Sequence, residues 1–377
     1  MNRSDLDRNA YMLRGPLAKR GYVRWYHSFK GMAPGTGNMR TFFVEYLILN
    51  PALGSSQPIL GQHPYFKRRR MKPSYVMVKA GVFPDENGED GRQLNAFYPM
   101  TSLKVTQSPF TLQTEDCFYS ENRIAGFIDV SAAKARHRSL MTDAGCMEWD
   151  LEIHKAVSCH TGFIANPFFT AIGALNSFWH GEGIRSFFQG TVSLDGVVYE
   201  VIPDQSYGYA DKHWGRSFNN PLLRLSSGHI VSGRTGRDLK HSALAVDGCC
   251  PKFLCFPLRR RLIIQLTYMG EDFEFHFARP GTLSRCKWKV TETNKRFIWH
   301  IMAQNKDAVL KLILSCTKEH LMDLTYENPD GSLTAAPLLG GGCGVGTIEL
   351  YRRQAGSVQL IDTLSVKDAL CEYQSQA

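Results

Sequence analysis

Tyr207, Tyr209, Asp211 and His213 fall on alternate positions of the stretch Asp204-Gln205-Ser206-Tyr207-Gly208-Tyr209-Ala210-Asp211-Lys212-His213-Trp214-Gly215. With the two-residue period of a β-strand they share one face, which then carries two phenols, a carboxyl and an imidazole. Such a set can line a pocket and move a proton. A desolvated carboxyl holds its proton more tightly than water would allow, and a neighbouring imidazole sets which group carries it. The opposite face is small or apolar until Lys212 and Trp214. The same residues also fit an ordinary strand end, with Asp211 tied to Lys212 or to a backbone amide.

A second carboxyl has comparable surroundings. Phe43, Glu45 and Leu47 alternate with Phe42, Val44, Tyr46 and Ile48. Facing an interior, Glu45 is a desolvated proton donor; facing outward, it pairs with Arg24 or Lys30. In the strand before it, Trp25, His27 and Phe29 share one face and Tyr22, Arg24 and Tyr26 the other. Trp179-His180-Gly181-Glu182-Gly183 is a third polar and aromatic cluster, whose glycines suggest a loop at a cavity mouth. Protonating an isolated alkene calls for this combination. The acid makes a tertiary carbocation, aromatic faces stabilise it by about 0.5–2 kcal/mol each, and exclusion of water prevents its capture. Asp211 is the first candidate for the acid and Glu45 the second, with His213 directing the proton. Trp25, Tyr26, Tyr207, Tyr209 and Trp214 are the candidate substrate-facing residues. A passive carrier of lipids or pigments needs the same aromatic lining without the buried acid.

Tyr207-Gly208-Tyr209-Ala210-Asp211-Lys212-His213-Trp214-Gly215 resembles the signature of the tocopherol cyclase-like family, and Gly21-Tyr22-Val23-Arg24-Trp25-Tyr26-His27 is similar to its aromatic opening strand. The resemblance extends roughly from Gly15 to Tyr373. It implies two lipocalin-like β-domains, with distant likeness to hydroxyneurosporene synthase-type proteins. The implied activity is acid-promoted ring closure of a prenylated quinol, without cofactor or metal. Relatives of similar architecture hydrate carotenoids or guide pericyclic ring closures. Two departures stand out. Arg24 precedes the Trp-Tyr step where the family has Glu-Gly, and Pro221-Leu222-Leu223-Arg224-Leu225 replaces a proline followed by tryptophans.

The chain has 377 residues, 43% hydrophobic and 21% charged, as soluble globular proteins do. Its net charge of +9 is partly local, in Lys67-Arg68-Arg69-Arg70-Met71-Lys72 and Arg259-Arg260-Arg261. Such a run serves either as a solvated loop or as a contact with an anionic membrane surface. No recognition motif accompanies the charge, which argues against nucleic acid. The N-terminus has no apolar core of a secretory signal, and no apolar run is long enough to span a bilayer. With ten cysteines at low density and no Cys-x-x-Cys pair, reduced thiols in a cytoplasmic protein are the expectation. Cys159-His160 and the Cys249-Cys250 group lack metal-ligand spacing.

Strand signals dominate. Phe273, Phe275 and Phe277 alternate with acids and His276, as do Phe297, Trp299 and Ile301, and Leu310, Leu312, Leu314 and Cys316 with their neighbours. Met147, Trp149, Leu151 and Ile153 alternate with Glu148, Asp150, Glu152 and His154. Turn residues at Asp195-Gly196, Gly270-Glu271 and Asn328-Pro329-Asp330-Gly331 separate such runs. The pattern predicts an all-β chain of antiparallel barrels or sandwiches with few short helices. One helix is expected over residues 167–176, as a plug or lid, and another between 131 and 139. The predicted domains are 1–203 and 204–377. Leu339-Gly340-Gly341-Gly342-Cys343-Gly344-Val345-Gly346 lacks the Lys-Ser/Thr ending of a phosphate loop and reads as a close wall contact.

Overall fold

The computed structural model of the chain describes residues 9–159, 177–218, 222–249, 252–253, 256–257, 260–277, 284–333, 337–354 and 357–374. The fold is all-β: two curled, antiparallel, lipocalin-like sheets with short helical turns between strands. Runs with clean alternation form strands wet on one face. In Gly145–Cys159 the side chains of Met147, Trp149, Leu151 and Ile153 are buried, while Glu148, Asp150, Glu152 and His154 face solvent. Arg296–Gln304 and Ala308–Thr317 repeat the pattern around Trp299 and Leu312.

The first sheet has twelve strands among the described residues. It runs from Arg92–Tyr98 through Tyr75–Val82, Met39–Leu49, Tyr22–Met32 and Val197–Val201 to Ser177–Leu194, Gly145–Cys159 and Arg123–Val130, and ends on Lys104–Gln107. Trp25, Phe29, Tyr46, Trp149, Phe188 and Trp214, drawn from strands spread across the sheet, form one core, so the sheet wraps around them. The second sheet runs from Glu271–Phe275 through Arg261–Tyr268, Ala243–Cys249 and Leu223–Ser227 to the long hairpin Ser357–Tyr373 and Leu338–Gln354, then Ala308–Thr317 and Arg296–Gln304. It encloses its own core around Phe275, Trp299 and Leu312. A third cluster lies between the sheets, with Tyr22, Tyr26 and Tyr209 from the first and Ala245, Ile263 and Leu370 from the second. Strands at this contact are buried on both faces, so Met39–Leu49 and Gly208–Gly215 read as nearly continuous runs rather than amphipathic ones.

The signature strand Gly208–Gly215 belongs to the first sheet. It pairs with Tyr22–Met32, from Tyr22 opposite Gly215 to Ser28 opposite Tyr209, and with Ser177–Leu194. The crossover between sheets therefore falls after Gly215 and before Leu223, not at Pro203. Pro203–Gln205 is a turn that sends the chain back into the sheet it came from, anchored where Lys30 N–H donates to the Ser206 carbonyl.

Asp195 and Gly196 both adopt positive φ (49° and 86°), which two-residue hairpins of matching twist require. The equivalent turn farther on uses Met269 and Gly270, one residue earlier than the sequence pattern suggests. The glycine run lies in the strand Leu338–Gln354. A Cβ on Gly346 would sit 2.2 Å from the Ile313 carbonyl, which explains the absence of a side chain by close wall contact. Between 131 and 139 a short helix, Ala132–Ala135, forms, with Ser131 Oγ accepting from Lys134 N–H. The expected helix at 167–176 lies outside the described residues.

Candidate active site

Strand register brings the acids together. Tyr26 of the opening strand stands opposite Glu45 on one side and opposite Asp211 on the other. Arg24, two residues earlier, stands opposite His213. In the second sheet Arg224 stands opposite Asp247 on one neighbour and Glu372 on the other. The two rows meet face to face, and all of these side chains are buried.

Two guanidinium groups link the rows. Arg24 Nε donates to Glu45 Oε2 at 2.7 Å, and its Nη2 reaches Glu372 Oε1 at 3.2 Å. Arg224 Nη1 contacts Glu372 Oε2 at 2.5 Å, and its Nε lies 3.2 Å from Asp211 Oδ2 and 3.6 Å from Asp247 Oδ1. Arg224 Nη2 also hydrogen-bonds His213 Nε2. Asp211 Oδ2 accepts from Trp179 Nε1 at 2.9 Å and from the Tyr209 hydroxyl at 2.7 Å. The Tyr326 hydroxyl donates to Glu45 Oε2 at 2.7 Å, and Lys79 Nζ lies 3.8 Å from the centre of the Tyr326 ring.

Burial and charge divide these groups by protonation state. Burial pushes the Asp211 carboxyl up, against the pull of Arg224 and Arg24. Burial pushes Asp247 well up; Arg224 pulls it down, and Asp211 and Glu372 raise it again. The neutral His213 Nε2 lies 3.8 Å from Asp247 Oδ1. Burial also works on Glu372, but Arg224 and Arg24 outweigh it and hold that carboxyl below its ordinary range. Burial, with both arginines beside it, keeps His213 neutral, so its Nε2 accepts from Arg224. Lys79 is lowered by burial to about 8, with Glu45 opposing the shift. Arg24, Arg224 and Lys79 thus face the carboxyls of Glu45, Asp211, Asp247 and Glu372. One retained proton balances the set, and Asp247 is the group most strongly disposed to keep it. A cavity of about 20 Å³, lined by Tyr22, Arg24, His213, Phe218 and Tyr326, adjoins this network. That is room for a single water.

The sequence-derived residues fall into three places. Tyr26, Glu45, Tyr209, Asp211 and His213 meet in the network between the sheets, and Glu45 is both buried and paired with Arg24. Trp25 and Trp214 project to the opposite faces of their strands, into the first core, where their rings lie 5.4 and 4.9 Å from Lys212 Nζ. They do not border the acids, as strand parity requires. Tyr207 precedes the strand at φ 41°, outside the alternation, and stacks on His229 at 3.9 Å. The candidate substrate-facing residues border no large cavity among the described residues; the space beside Tyr22, Arg24 and His213 is about 20 Å³. Trp179 to Gly183 is not a loop but part of the strand Ser177–Leu194. Its alternation sends Trp179 toward Asp211 and Glu182 into the first sheet's interior, against Lys155 at 2.8 Å. Asp247, Glu372, Lys79 and Tyr326 were missed. Each charge does stand out in its sequence, Asp247 within Ala245-Val246-Asp247 and Glu372 after Leu370-Cys371.

No family model matches the chain, and no curated protein matches it. Among solved structures it is similar to kievitone hydratase from Nectria haematococca, with 10% identity and a TM-score of 0.42 over 94% of this chain and 90% of that one. Among the described residues no helix is long and apolar enough to cross a membrane.

Proposed function

We propose that the chain is a cofactor-independent enzyme that protonates an alkene of an apolar, prenylated small molecule, in the manner of the tocopherol cyclase-like proteins its signature resembles. The observation that carries this reading is the pair Asp211 and Asp247, set on either side of Arg224 and sealed from solvent, where burial pushes both carboxyls up. Taking ions out of water costs several kcal/mol each, and apolar packing would serve stability better, so an arrangement of this kind suits chemistry.

Asp247 gives its proton to the alkene carbon, leaving a carboxylate and a tertiary cation. Arg224 stabilises the new carboxylate, and the rings of Tyr22, Tyr26 and Tyr326 face the cation. Attack by the substrate's own hydroxyl closes the ring, and the released proton returns to the carboxylate pair, restoring the starting state. The space at this site holds one water as it stands, so on this reading substrate binding requires the half-buried Phe218 ring, 4.1 Å from Tyr22 and 5.3 Å from Tyr326, to swing aside. The water-sized cavity beside His213 favours a second outcome on the same scaffold, capture of the cation by water, which is hydration.

The test is incubation with prenylated hydroquinones in deuterated water, read by mass spectrometry. One deuterium in a cyclised or hydrated product, lost in Asp247→Asn and Asp211→Asn, is the expected result. If substrate is bound but returned unchanged by the unmodified protein, the chain is a carrier and the reading fails.

A further inference from the structure

The first sheet is not joined into a closed ring by hydrogen bonds among the described residues. Its edge strand Arg92–Tyr98 faces Arg123–Val130 across a seam. One end of the seam is stitched, where the amide of Gln93 donates to Asp143 Oδ2 and that of Asn95 to Thr142 Oγ1, both at 2.9 Å. Past Asn95 the stitching stops, and a cleft of about 1010 Å³ opens between the strands and the short helix Pro64–Arg68. Its walls include Phe66, Phe97, Tyr98, Phe127 and Ile128. The volume stands at the upper end of small-molecule sites and accommodates an acyl chain.

Two features at its mouth are unusual together. Tyr65 and Phe127, both lining the cleft, are 51% and 43% exposed. Exposed aromatics at one opening, beside a charged rim, mark an interaction surface. Directly after Phe66 come Lys67, Arg68, Arg69, Arg70 and Lys72, none of which makes an ion pair among the described residues. Some exposed cations elsewhere are paired, as Arg123 is with Asp150 and Lys311 with Glu349, whereas Lys287 and Lys289 are exposed without an ion pair among the described residues. The Arg69 guanidinium instead lies 3.7 Å from the centre of the Tyr65 ring. Lys134 stands on the lining too, together with the acids Asp116 and Asp129; Asp116 accepts from the Tyr98 hydroxyl at 3.3 Å. Unneutralised cations beside exposed aromatics match the boundary between anionic headgroups and acyl chains.

We propose that this face docks on an anionic bilayer, with the basic turn on the headgroups, Tyr65 and Phe127 at the acyl boundary, and an acyl chain of that bilayer in the seam cleft. The surface is separate from the buried acids and stands whether or not they are catalytic.

Flotation of the full chain with vesicles tests the proposal. Vesicles carrying roughly 30% phosphatidylserine should bind it and neutral phosphatidylcholine vesicles should not, with binding falling as salt rises. Replacing Lys67, Arg68 and Arg70 together by serine should weaken binding on the order of 100-fold, since each basic residue contributes severalfold. Replacing Lys287 and Lys289, exposed on the second sheet, by serine should change nothing. Phe97→Trp places a reporter on the cleft wall, and brominated acyl chains should quench its fluorescence. Equal binding to neutral vesicles, or a triple variant that binds like the unmodified chain, overturns the docking. So does a preference for a soluble polyanion such as heparin over the vesicles. An unquenched Phe97→Trp in the bound state overturns the acyl chain's place in the cleft.

Discussion

Asp247→Asn separates a retained proton from an ordinary ion pair. In the fold the Asp247 carboxyl is raised well above its usual 3.8, by burial first and by Asp211 and Glu372 after it. In the unfolded chain it titrates normally, so between 3.8 and its folded value the native state holds one proton more. The stabilising contribution is therefore complete below about pH 3.8 and falls as pH rises, by up to about 1.4 kcal/mol per unit. Asparagine mimics the protonated acid and cannot titrate. Urea unfolding of both proteins between about pH 4 and pH 6 should show the unmodified chain losing up to roughly 2.7 kcal/mol relative to the variant. At the acid end of that range the two should be nearly equal in stability. Parallel stability curves would refute the reasoning. So would a variant about 3–5 kcal/mol weaker throughout, the cost of removing an ionised partner from Arg224.

Glu372→Gln should behave oppositely. Its carboxylate is held low by Arg224 and Arg24, so its contribution is present above about 4.5 and is lost as pH falls through the depressed folded value. Calorimetry at neutral pH should find the variant about 3–5 kcal/mol less stable, with the difference shrinking in acid; an unchanged melting temperature would contradict the pairing. Phe218→Ala should cost less than the 3–5 kcal/mol of a fully buried ring and should admit bulkier prenylated ligands, measured as tighter binding by fluorescence titration. Unaltered affinity across ligand sizes would remove Phe218 from the entry path.

The fold class was legible because strands such as Gly145–Cys159 have one wet face, so hydrophobicity alternates visibly. The site was legible only by parity. Alternation placed Tyr209, Asp211 and His213 together and set Arg24 and Tyr26 apart from Trp25, as the register confirms. What parity cannot report is which strand lies opposite. Arg224 was visible as a departure from the signature, yet its position between Asp247 and Glu372 depends on two pairings more than a hundred residues apart from each other in sequence. Tyr207 failed for a local reason: a positive φ breaks the alternation one residue before the strand begins. The domain boundary failed because the turn at Pro203–Gln205 has the same residue chemistry whether the chain returns to its own sheet or leaves it.

The strand Gly208–Gly215 completes one sheet while its other face floors the contact with the next. A chain cut at residue 203 would leave the first half without the pairing partner of Tyr22–Met32, and would give the second half a strand with nothing to pair. A cut after Gly215 keeps both sheets whole, yet it severs the ion pairs that cross the contact, Arg24 with Glu372 and Arg224 with Asp211. The two halves are thus not interchangeable parts. A graft from a relative would succeed only if it carried both rows together, and halves made as separate chains should recover their structure by finding each other.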